Sequence, residues 1–136
     1  MGIRDEFAKL GAKQKNVQWS VSAFNDQDEL VLSLWHDPHF FKFDKDRHIQ
    51  TYTDDIHRWS GLGRDEMARN LQKAWETGAN IRLVCSRLKN PNDIQHIKAG
   101  VDASRFPKIF SAKLDWIGKL VKWDQHQFII EFRQEI

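Results

Sequence analysis

The chain predicts an α+β domain: a small mixed, strongly curved sheet or barrel of about six strands, with one central packed helix and a short N-terminal helix. Three observations carry this. Apolar residues alternate with polar ones over residues 16–24, and a second apolar run follows at 29–35. Residues 64–77 carry a helical stripe that stops at Gly78. Apolar strand-like runs lie on both sides of that helix, and there are too few helices to cover a parallel sheet. A length of 136 residues fits one domain, 1–136, able to bury a core.

Element by element, Ile3, Phe7 and Leu10 form one face of a short helix that Gly11 can stop. In 16–24, Val17, Trp19, Val21 and Ala23 share a face, the mark of a half-buried strand. Residues 25–28 are a turn cluster, and 29–35 is the returning strand of a hairpin, ended by Pro38, which cannot donate to a ladder. Residues 38–58 lack a clear period and read as a long loop with aromatic anchors. In 64–77, Met67, Leu71, Ala74 and Trp75 fall at helical spacing, with Asp65 and Glu66 in the first turn. Residues 80–88 are a strand with Ile81, Leu83 and Cys85 inward, or a run buried on both sides. Residues 89–93 are a turn and 94–107 are irregular. The stretches 108–116, 117–123 and 126–132 supply two or three more strands, the last preceded by a turn at Asp124-Gln125.

With 40% hydrophobic and 29% charged residues, the composition is that of ordinary globular material. No apolar run approaches the roughly 18 residues of a membrane span, and the charged N-terminus lacks a signal-peptide core. Gly2 is followed by Glu6 where a myristoylation signal needs Ser or Thr. The expectation is a cytoplasmic protein without membrane contact. One cysteine, Cys85, excludes an internal disulfide and sits among apolar neighbours as an inert buried thiol. The net charge of +2 is uneven. Residues 80–123 hold nine Lys/Arg against three Asp, whereas residues 1–79 hold eleven against thirteen acids. A basic segment of this size attracts phosphates, although lysines also keep strand faces soluble.

Most of the six tryptophans suit a core; Trp75 lies on the helix stripe and Trp19 on a strand face. Trp59 stands outside any periodic segment, between His57-Arg58 and a Ser60-Gly61-Leu62-Gly63 turn, and Trp35 ends a strand. Rings in such places stack bases or cage cations. His57 can line the same pocket. His36 and His39 flank a proline turn without metal-ligand spacing. No nucleophile elbow, phosphate loop, dinucleotide fingerprint or nuclease signature occurs, so no catalytic residue, metal or cofactor is assigned.

The stretch from Trp59 to Ser86 resembles the corresponding part of the EVE and YTH domains of the PUA-like superfamily. Their Trp-x-Gly turn, Ala-Arg-Asn helix start, following Leu, Gly turn and strand ending on Ser are matched by Trp59, Gly61, Ala68-Arg69-Asn70, Leu71, Gly78 and Ser86. The chain departs at Gly78-Ala79 and Val84-Cys85, where those domains carry Gly-Asp and Tyr-His. The resemblance implies a PUA-like barrel that reads a modified or extruded base. In it Trp59 and Trp35 stack the base, Ser86 reads its edge, and Arg64, Arg87 and Lys89 hold phosphates. A separate effector enzyme would supply any cleavage.

Three function classes follow: a non-catalytic nucleic-acid-binding module (DNA or RNA), a small-molecule-binding barrel with an aromatic pocket, or a homodimeric structural protein.

Overall fold

The computed structural model describes residues 2–100 and 106–134. Among these residues the chain is α+β, and eight strands form one mixed sheet that does not close on itself. The elements run α1 (Ile3–Lys9), β1 (Ser22–Phe24), β2 (Leu30–Trp35), β3 (Phe41–Asp44), β4 (Ile49–Asp55), α2 (Gly61–Thr77), β5 (Asn80–Leu88), α3 (Ile94–Lys98), β6 (Lys108–Ala112), β7 (Trp116–Trp123) and β8 (Gln127–Gln134). The strand order is β1-β2-β5-β7-β8-β4-β3. The pairing of β2 with β5 is parallel, joined through α2, and the other pairings are antiparallel. The strand β5 forks. Asn80 and Ile81 pair with β7, whereas Val84–Leu88 pair with β6.

Two apolar layers sandwich the β2–β5 ribbon. Leu30, Leu32 and Leu34 join Ile81, Leu83 and Cys85 in a large cluster with Met67, Leu71 and Ala74 of α2 and the aromatics of β3, β4 and β8. On the opposite alternation, Val31, Val84 and Ala23 pack with Phe7 and Leu10 of α1. Helix α1 therefore covers part of one face and α2 covers the other.

Several expectations are corrected here. The strand expected over 16–24 begins only at Ser22, so Val17 is exposed instead of inward. Local side-chain bonds divert the backbone: Asn16 Oδ1 accepts from Gln18 N, and Ser20 Oγ accepts from Asn16 N. Residues 38–58 are no long loop but contain the β3–β4 hairpin. Asp44 Oδ1 caps its turn by accepting from Asp46 N and Arg47 N, and His48 takes a left-handed φ of 53°. Helix α2 starts at Gly61, three residues early, so Asp65 and Glu66 are not in its first turn. Its buried stripe runs through Gly63, Glu66, Met67, Leu71 and Ala74, which leaves Trp75 at the edge, 45% exposed and not in the core. The segment 94–107 contains α3, and residues 101–105 of it lie outside the described residues. The strand expected over 108–116 ends at Ala112.

Cys85 is buried, and desolvation pushes its thiol up to about 11. Lys113 and Arg87 oppose that shift through their charges. The ordinary thiol value is about 8.5. The folded state thus keeps the proton, a contribution complete below that value and lost as pH rises through 11. We expect no thiol modification of the native protein at pH 8 and stoichiometric modification in denaturant. Rapid labelling of the native chain would place Cys85 at the surface.

Candidate functional site

The sheet face that carries α1 is left uncovered at its other end. Ser33 and Ser86 stand there in the same alternation as Val31 and Val84, and their hydroxyls meet at 2.6 Å. Both are buried. They form the floor of a cavity of about 450 Å³, within the range of ligand sites. Trp35, at the end of β2, and Phe110, paired with Ser86 across β5–β6, wall it on the sheet side. The opposite wall comes from the 17–21 turn and, touching it, residues 58–64, which lead into and form the first turn of α2. Gly63 makes that approach feasible: a Cβ there would lie 2.3 Å from the carbonyl oxygen of Trp19. Gly61 takes a φ of +75°, which favours glycine and turns the chain into α2.

Trp59 is held from below. Asp54, buried at the end of β4, accepts from Trp59 Nε1 at 3.1 Å, Tyr52 OH at 2.6 Å and Arg58 Nε at 2.7 Å. Arg58 Nη2 completes a two-pronged ion pair with the same carboxylate. The guanidinium carbon of Arg58 lies 4.6 Å from the Phe40 ring centroid and 4.9 Å from that of Trp59. Burial works against the Arg58 charge, but the Asp54 bond and charge outweigh it and raise its pKa. Burial, then the Asp54 charge, pushes Tyr52 well above the ordinary phenol range. The pocket aromatic and the adjacent cation therefore share one buried anchor.

Of the residues expected to bind a ligand, Trp35, Trp59, Ser86 and Arg64 line this single cavity. They come from three separated segments. Arg64 also pairs with Asp65, at 3.0 Å on the surface. His57 is not brought in. It is exposed and its Nε2 lies 2.7 Å from His126 Nδ1, a contact fixed by the β4–β8 pairing that carries both turns to one end of the sheet. Arg87 and Lys89 are exposed and do not line the cavity. Arg87 alternates away from Ser86, and Lys89 follows the strand end, where its N–H bonds Pro107 O.

Sequence reasoning missed Ser33, Asp54, Arg58, Gly63, Lys108 and Phe110. Ser33 had a signal, as the one polar residue within an apolar strand. Asp54 had none, because it lies in a polar stretch. Trp19, read as a core residue, is a partly buried lining residue instead.

Among the described residues, no group of three or more His, Cys, Asp or Glu side chains could hold a metal ion. No helix among them is long and apolar enough to cross a membrane. No known protein family, curated protein or solved structure matches the chain, so a functional reading rests on the cavity itself.

Proposed function

We propose that the cavity receives a nucleobase extruded from nucleic acid, and that the chain is a non-catalytic, single-domain cytoplasmic reader built on a PUA-like scheme. The observation that carries the reading is the convergence of Trp35, Trp59 and Ser86 on one cavity with Arg64 at its edge. Indole faces suit the π-face of a base. The serine pair offers a donor and acceptors to a base edge, since each hydroxyl can serve as both. Arg58, Arg64 and Lys108 add basic side chains to the lining. Lys89 lies just beyond the floor strand and the exposed Arg87 lies within it, alternating away from Ser86, so phosphates would meet both only by passing round that strand end. The Trp59–Ser86 stretch that resembles EVE and YTH domains supplies one wall and part of the floor. Cleavage or signalling would fall to a separate effector enzyme.

The test is a titration of single- and double-stranded DNA and RNA, with and without a methylated base, over a range of salt. Affinity should fall linearly with salt on logarithmic axes, because displaced counterions return to the phosphates. Replacing Arg87 and Lys89 by alanine should flatten that slope by about one unit per lost phosphate contact. Trp59→Ala should cost about 1–3 kcal/mol at unchanged slope, the value of one stacked base. Binding of a free nucleoside without any oligonucleotide would favour a small-molecule pocket. Absence of every complex up to about 100 μM, the weak end of non-specific binding, would reject the reading.

A further inference from the structure

Two apolar side chains at the cavity mouth are left in solvent. Leu62 is 62% exposed and Val17 is 52% exposed, and both line the cavity. Isolated exposed apolar residues are ordinary. These two differ because they sit on the touching turns that form one wall, and both turns are braced. Gly63 is pressed against the Trp19 carbonyl, and Asn16 and Ser20 lock the 16–20 turn through side-chain bonds. A floppy rim would fold such side chains inward. This one presents them outward, beside the Arg64 cation, while the aromatic and hydroxyl groups stay within.

We propose that Leu62, assisted by Val17, is a wedge that enters the base stack of a double-stranded nucleic acid and fills the gap left by the extruded base. The inference rests on the base-binding reading and names its partner, a duplex. Removing a base from a stack exposes the apolar faces of its neighbours, and an inserted aliphatic side chain covers them. Arg64, two residues from Leu62, is placed to meet the backbone beside the opened step. A single strand has no stack to open, so the wedge has nothing to contribute there.

The experiment uses an oligonucleotide carrying one 2-aminopurine, single-stranded or annealed, in DNA and RNA forms. With the 2-aminopurine placed beside the target base, wild-type protein should raise the fluorescence of the annealed probe as that target leaves the stack and an aliphatic side chain takes its place. Leu62→Ala should weaken duplex binding by about tenfold and abolish that fluorescence rise, while single-strand binding, which loses only a cavity-lining contact, weakens clearly less, with an unchanged thermal midpoint because the residue is exposed. Leu62→Met, which keeps an apolar wedge, should restore the signal. Trp59→Ala should weaken both forms of the probe. Equal loss on single strand and duplex, or no loss with Leu62→Ala while Trp59→Ala still weakens both, overturns the wedge alone. Indifference of both probes to Trp59→Ala overturns the base-binding reading and the wedge with it. The DNA and RNA arms identify which duplex is opened.

Discussion

Asp54→Ala should destabilise the protein by about 3–5 kcal/mol, the cost of leaving one member of a buried ion pair uncompensated. The Asp54 side chain is 2% exposed and that of Arg58 is 14% exposed. Without the carboxylate, the guanidinium keeps its charge but loses both of its hydrogen bonds there. Tyr52 OH and Trp59 Nε1 lose their acceptor in the same step. Urea unfolding monitored by tryptophan fluorescence measures the loss. Asp54→Asn should cost less, because one oxygen remains to accept. Asp54→Ala combined with Arg58→Met should recover part of the stability, since the stranded charge is gone. A loss below about 1 kcal/mol would show that water already solvates Arg58, as at an exposed pair. The Tyr52 phenol should stay above its ordinary range even in Asp54→Ala, because burial and not the Asp54 charge is the larger cause of its shift. The raised value means that Tyr52 stabilises the fold below the ordinary phenol pKa of about 10, a contribution lost as pH rises through its folded value.

That anchor also shows where the sequence was legible and where it was not. Periodicity located β8 and the body of α2, whose burial follows spacing of two or of three and four, while β2 and β5 were legible as apolar runs and are buried largely on both faces. It failed at β4, whose buried positions include Tyr52 and Asp54. A buried carboxylate is an intermittent polar residue to any hydrophobic pattern, and only its donors, drawn from β4 and the turn that follows, explain its place. Trp59 was legible because it answered to no core pattern, and Trp35 because it ends its strand, although the structure buries Trp35 to 4% exposure within the large cluster. The floor needed Ser33 beside Ser86, which the parallel register of β2 and β5 brings together across 53 residues. Nothing local encodes that register. The wall needed Gly63, whose role lies in the backbone of Trp19 and not in its own neighbours.

The same contrast gives the second large effect, at α2. Leu71→Ala should cost about 2–5 kcal/mol, as large-to-small changes in a packed core do. Leu71 is fully buried, within the cluster that holds Leu30, Leu32, Ile81 and Leu83. The helix carries a narrow apolar stripe, in which Met67, Leu71 and Ala74 are the buried apolar side chains of its 17 residues. Loss of the middle one removes a large share of what docks it. Trp75 shares the helical spacing in the sequence yet is 45% exposed, so Trp75→Ala should stay within about 0.5 kcal/mol of wild type. Urea midpoints at constant m-value separate the two variants. A reversed order would mean that the helix is rotated toward the face that its tryptophan suggested. The first turn of α2 also walls the cavity, so the rotation would carry Leu62 and Arg64 away from the mouth. The helix register and the placement of the binding wall therefore stand or fall together in one pair of denaturation curves.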